Sequence, residues 1–179
     1  MVKPQDVVVA CKLLVAGPEW TYARLSASVA LSAAETHASV RRLGEAGVAR
    51  VPPGGGARVR RREALELLLA APKIYCGEVG AGTGAGTPTS LWADPLRGEF
   101  EVDPSDEPVV WASPYPELVE PGQVRGRLLE PLYPTVPRAI RGDRDLWRLL
   151  ALLDVLRVGE PEHARRAAAL LRKRVLEEG

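Results

Sequence analysis

Apolar residues recur at helical spacing through most of the first seventy positions. Val7, Val8, Cys11, Leu14 and Val15 form one stripe in "PQDVVVACKLLVAG". Pro4 suits the first helical position, where a missing N–H costs nothing, and Gly17 suits the stop. "EWTYARLSASVA" predicts a short helix capped by Thr21 and carrying Tyr22, Leu25 and Val29. In "LSAAETHASVRRLGEAG", Ser32 followed three residues later by Glu35 makes a capping box, and Gly47 closes the helix. "VARV" and "ARVRR" predict two short strands around a glycine-rich tip, Gly54 to Gly56. "RREALELLLAA" predicts a fourth helix that stops before Pro72.

The pattern changes after that point. "KIYCGEV" suits a strand, whereas "GAGTGAGTPTSLWADP" predicts a loop or linker from its Gly, Thr and Pro content. "EPVVWA" and "QVRGRLLEPL" predict strands joined by a proline-rich connection, and "YPTVPRAI" a turn-rich crossing. Helical spacing then returns. Leu146, Leu149, Leu150, Leu153 and Leu156 line one face of a helix capped by Asp143 or Asp145 and ended by Gly159. Pro161 opens a last helix with Ala164, Ala167, Ala168, Leu171 and Val175 as its stripe.

Charge sharpens this picture. The net charge of +1 hides an uneven distribution: residues 1–70 hold ten Lys/Arg against six Asp/Glu, and residues 71–140 hold five against ten. Between Arg41 and Arg62 stand seven arginines and one acid, Glu45. Such a run is a footprint for a polyanion if the fold gathers the arginines on one face, and a solvated surface if it does not.

The element order helix, helix, helix, strand, tip, strand, helix carries a resemblance. The stretch "YARLSASVALSAAETHASVRRLGEAGVARV" resembles winged helix-turn-helix bacterial regulators of the MarR and GntR kind. The matching residues are Leu25, Val29, Leu31, Ser32, Val40, Leu43, Ala46, Gly47, Val48 and Arg50. Three positions depart from the pattern: Ala30 replaces a usual turn glycine, Thr36 a usual Val or Ile, and Gly44 a frequent acid. The resemblance implies an N-terminal winged helix-turn-helix, and with the elements read after it the chain is expected to be an α+β protein whose small mixed C-terminal domain ends in two helices. The implied domains are 1–71, a loop-rich connection at 72–108, and 109–179 for partner binding or self-association.

The function implied is sequence-specific binding of double-stranded DNA by a transcriptional repressor. The third helix would enter the major groove and the wing would lie on the backbone. With Val40 and Leu43 turned inward, Ala33, Ala34, His37 and Arg41 point away, together with Arg42. The candidate DNA contacts are Thr21, Tyr22, Ser32, Ala33, His37, Arg41, Arg42, Arg50, Arg58 and Arg60. Arg41 can reach a guanine edge, while Arg42 suits a phosphate or a surface ion pair. His37 suits a DNA contact or plain solvent. A softer resemblance joins "LEPLYPTVP" and "LWRLLALLDVLRVG" to antitoxin regulators of the abortive-infection type. It implies a cognate toxin as partner, while the DNA reading implies a homodimer on two half-sites about one helical turn apart. The alternative is a protein-interaction module whose winged helix docks protein.

Other chemistry finds little support. "GGGARVRR" lacks the Gly-Lys-Ser/Thr of a phosphate-binding loop, and a strand follows it. Gly80, Gly82 and Ala85 have dinucleotide-loop spacing, but no useful helix opens after them. There is no GxSxG, and neither Cys11 nor Cys76 has a metal-site or disulfide partner pattern. His163 opens a charged helix, and Trp92, Trp111 and Trp147 suit a small core or, as the alternative, the lining of an effector pocket. No enzyme activity and no cofactor are expected. With no membrane-length apolar run and no cleavable leader pattern, a cytoplasmic protein with no membrane partner is expected.

Overall fold

The computed structural model describes residues 1–17, 20–52, 57–114 and 120–177. The glycine tip therefore lies outside the described residues. The chain is an α+β protein with seven α-helices and five strands among those residues. The order is α1 (Pro4–Val15), α2 (Tyr22–Val29), α3 (Ala33–Glu45), β1 (Ala49–Arg50), β2 (Arg58–Val59) and α4 (Arg61–Ile74). Then come β3 (Val79–Pro88), β4 (Val109–Ala112), β5 (Val124–Leu129), α5 (Val136–Ala139), α6 (Arg144–Val158) and α7 (Pro161–Leu176). Two 3₁₀ turns, Ser90–Trp92 and Asp94–Leu96, separate β3 from β4.

The expected caps form. Thr21 Oγ1 accepts from Arg24 N–H at 3.2 Å, and Asp143 Oδ1 accepts from Leu146 N–H at 3.0 Å. Ala30 adopts the left-handed conformation, φ +53°, at the turn between α2 and α3. A side chain there costs roughly 1–2 kcal/mol. The turn is held nonetheless: Leu31 N–H donates to Ser26 O at 3.1 Å, and the Thr135 hydroxyl donates to Val29 O at 3.0 Å.

Two expectations fail in the middle of the chain. α4 does not stop before Pro72 but runs through it to Ile74. The proline sits in the last turn with its ring buried, so the helix loses one ladder bond where little helix remains to be disrupted. The Gly/Thr stretch is not a loop but the ten-residue strand β3, and the expected "KIYCGEV" strand forms only from Val79. β3 runs antiparallel to both β4 and β5, which pair in parallel with each other and close a three-stranded barrel. So tight a barrel forces backbones together. A Cβ on Gly86 would stand 2.1 Å from Trp111 O, and one on Gly126 2.2 Å from Pro108 O. Glycine is required there for close approach, which composition alone reads as flexibility.

One hydrophobic core runs through the chain. Val7, Val8 and Cys11 of α1 join Leu25, Leu43 and Leu68 on one side and Leu149, Leu153 and Leu171 on the other. α1 packs against α2, α3, α4 and α6. Residue 71, the expected domain boundary, falls inside α4, which packs on both α6 and α7. Trp111 is fully buried, whereas Trp92 and Trp147 are half-buried.

A buried ion pair locks α6 to the barrel. Asp154 accepts from Thr89 Oγ1 at 2.8 Å, Trp111 Nε1 at 2.7 Å and Arg157 Nη1 at 2.6 Å. Arg157 also donates to Tyr75 O at 3.0 Å and Glu130 O at 3.2 Å. The two side chains are only 2% and 5% exposed, so the pair is fully desolvated. Among the described residues, no helix is long and apolar enough to cross a membrane.

Candidate nucleic-acid interface

The outward face of α3 begins at its cap. Glu35 N–H donates to Ser32 Oγ at 3.2 Å, and Ser32 N–H donates to Glu35 Oε2 at 3.0 Å. The bond from the Ser32 hydroxyl holds the Glu35 carboxyl below the usual carboxylate range. Thr36 is buried and donates its hydroxyl to Ser32 O at 2.9 Å, so the residue in place of Val or Ile leaves no polar atom unpaired. With Thr36, Ser39, Val40 and Leu43 buried, Ala33, Ala34, His37 and Arg41 are exposed.

Three aromatic rings brace this face. The His37 ring stacks on Tyr22, with centroids 3.6 Å apart and planes 16° apart. Trp20 meets Tyr22 edge-on at 5.3 Å and donates its indole N–H to Ala57 O at 3.1 Å. The ladder therefore runs from the hairpin across α2 to α3. Trp20 went unnoticed in the sequence, although its place just before the capping Thr21 was a usable signal.

The hairpin supplies the charge. Arg50 stands directly opposite Arg58 in the β1–β2 register, and Arg60 follows two residues on. Strand alternation puts all three on one face, away from the buried Ala49. Like charges directly opposite on paired strands repel; both guanidiniums are exposed, so solvent screens the cost and an anion laid across them would relieve what is left. Arg50, Arg58 and Arg60 are exposed and make no ion pair with a described carboxylate. Arg41 has only Glu45, 3.7 Å away on the same exposed helix face, a pair of little strength. Between α3 and the hairpin lies a groove of about 700 Å³, lined by Tyr22, His37, Arg41, Arg50 and Arg60.

Arg42 does not share that surface. Its Nε and Nη2 donate to Asp6 Oδ2 at 2.8 Å and Oδ1 at 2.6 Å, and Asp6 is fully buried. The expected outward position is corrected by this bidentate pair, which fastens α3 to α1. Thr21 and Ser32 are exposed at the starts of their helices, where their hydroxyls serve as caps. Arg61 also leaves the basic run, donating to Val175 O at 2.8 Å. His163 lies apart from the groove, half-buried with its ring edge-on to Phe100 at 6.0 Å.

Among the described residues, no group of three or more His, Cys, Asp and Glu is placed to hold a metal ion. The groove is edged by the stacked Tyr22–His37 pair and carries Arg41, Arg50 and Arg60 together with the acid Glu45. Comparison with known proteins finds no family model, no curated protein and no solved structure that matches this chain.

Proposed function

We propose that the first 71 residues act as a winged helix-turn-helix and that the chain is a sequence-specific, double-stranded DNA-binding transcriptional repressor. In this reading α2 and α3 are the helix-turn-helix and the β1–β2 hairpin is the wing. α3 enters the major groove with Ala33 and Ala34 leading, small enough for close approach, and Arg41 reaches a base edge or phosphate. The wing arginines lie on the backbone. The observation that carries the reading is the cross-strand pair Arg50 and Arg58 beside Arg60, an exposed cluster of like charge that a polyanion laid across it would stabilise. The acidic middle of the chain does not neutralise these arginines among the described residues, which favours DNA over the docking-module alternative. Residues 109–179 then support self-association or hold a partner such as a cognate toxin, and the protein works as a cytoplasmic dimer on two half-sites.

The test is anisotropy titration of the full chain on duplex DNA, from its own upstream region and of random sequence, across a salt series. Arg41→Ala is expected to relax sequence preference and to cost about 1–3 kcal/mol on the preferred site. Arg58→Ala and Arg60→Ala are expected to weaken all duplexes alike, each lowering the salt slope by about 1. Failure of the wild-type protein to bind either duplex at low salt overturns the proposal. Equal losses from all three variants, without change in preference, overturn the division of roles.

A further inference from the structure

A second groove lies between the barrel and α5. It consists of two adjoining hollows of about 270 and 590 Å³ that share Thr87, Gln123, Pro137 and Arg141 in their walls. Hollows of this size suit a small molecule. Arg138 lines one end and Trp147 the other.

Most of the charged groups on this wall are already engaged. Arg144 bonds Asp94, while Asp143 takes Lys12 and the first turn of α6. Arg138 and Arg141 differ. Arg138 is exposed and makes no ion pair with a described carboxylate, and Arg141 reaches only Glu120, an exposed carboxylate 3.9 Å away in the wall of the larger hollow. The Trp147 indole N–H is satisfied by Pro88 O at 3.0 Å, so the ring offers the groove a half-buried apolar wall beside Pro137 and Ile140. Arg138 without a described counter-charge and Arg141 with only a weak, exposed partner, next to an apolar wall, fit a ligand with one charged end and one greasy end.

The same groove touches the turn before α3. Thr135 lines it, and its hydroxyl donates to Val29 O, one residue before the left-handed Ala30. Two residues earlier, the Tyr133 hydroxyl donates to Glu35, the capping acid of α3, at 3.3 Å. α5 itself packs on α2.

We propose that this groove binds a small organic anion, its charged group held by Arg138 and Arg141 and its apolar body laid on Trp147, and that the α2–α3 turn senses occupancy through Thr135. The regulatory meaning rests on the DNA-binding reading; the site and its link to the turn do not. A ligand that orders the segment from Tyr133 to Arg138 also orders the carbonyl and cap that hold the turn, so binding and turn stability rise together.

The probe is 1-anilinonaphthalene-8-sulfonate, followed by its fluorescence on the full chain. Saturable binding is expected. The Arg138→Ala/Arg141→Ala double variant, altered only at exposed positions, is expected to raise Kd at least about tenfold while keeping the wild-type circular dichroism. Phenyl phosphate is expected to displace the probe, and phenol is not. Absence of saturable binding, an unchanged Kd in the double variant, or equal displacement by phenol overturns the anion site. Hydrogen exchange provides the second arm. Probe binding is expected to slow exchange over residues 26–36 in the wild type and not in Thr135→Val. Unchanged exchange in the wild type, or equal slowing in Thr135→Val, overturns the coupling. Neither arm uses DNA, so their failure is distinguishable from failure of DNA binding.

Discussion

Replacing Asp154 by alanine removes the acceptor at the centre of the α6–barrel junction. Three donors then lose their partner: Thr89 Oγ1, Trp111 Nε1 and Arg157 Nη1. Arg157 keeps two backbone carbonyls but no counter-charge, and its side chain is only 5% exposed. Removing one member of a buried pair typically costs about 3–5 kcal/mol, because the other charge is left desolvated. A whole domain is stable by only about 5–15 kcal/mol, so this one substitution removes a large part of the total. With a urea m-value of roughly 2 kcal/mol/M, the midpoint should fall by roughly 1.5–2.5 M. The partner experiment is Asp154→Ala/Arg157→Met. Removing the stranded guanidinium should recover part of the loss, though not all, since Trp111 and Thr89 still lack an acceptor. A midpoint shift below about 0.5 M for Asp154→Ala refutes the reasoning. So does a double variant less stable than the single one, because the cost would then lie in packing and not in an unpaired charge.

The barrel makes its own prediction. Gly86→Ala must displace the Trp111 carbonyl and should cost about 3 kcal/mol or more by urea unfolding, whereas Gly82→Ala, whose Cβ meets only Leu128 Cδ1 at 4.0 Å, should be tolerated. Glu99 is held below the usual carboxylate range by its hydrogen bond from Arg148, with Arg166 adding to the effect. A depressed carboxyl stabilises the fold above its ordinary value near 4.5 and loses that contribution as pH falls through its folded value. Wild type should therefore exceed Glu99→Gln in thermal stability at neutral pH, and the gap should close in acid. Thiol titration should label the exposed Cys76 in the native protein and Cys11 only after denaturation, because burial both shields the Cys11 thiol and pushes it up.

Periodicity revealed the helices because each carries apolar positions that need a partner: α3 buries Val40 and Leu43 and α7 buries Ala167, Leu171 and Val175 along one side, whereas the middles of α1 and α6 are buried all round. β3 was hidden for the opposite reason. Its strand character comes from what its neighbours leave room for, and a glycine that yields space to Trp111 O has the same letter as one in a linker. Arg42 and Arg41 are adjacent and chemically identical, yet one is clamped by Asp6 and the other is open. Thirty-six residues separate that clamp's two halves, and no local pattern announces it. Asp154 was likewise passed over within a leucine stripe, although Arg157 one turn later was the available hint. The outward residues of α3 were legible because helical geometry assigns them once Val40 and Leu43 are placed inside.

The position of α1 has a further consequence. It touches the α2–α3 pair on one side and α6 on the other, and its middle is buried all round. A cut after Ile74 would therefore strip α6 from α1 and leave valines in water. Among the described residues, one core joins α1–α4 to α6 and α7. The chain should melt in a single transition and resist proteases as a whole or not at all.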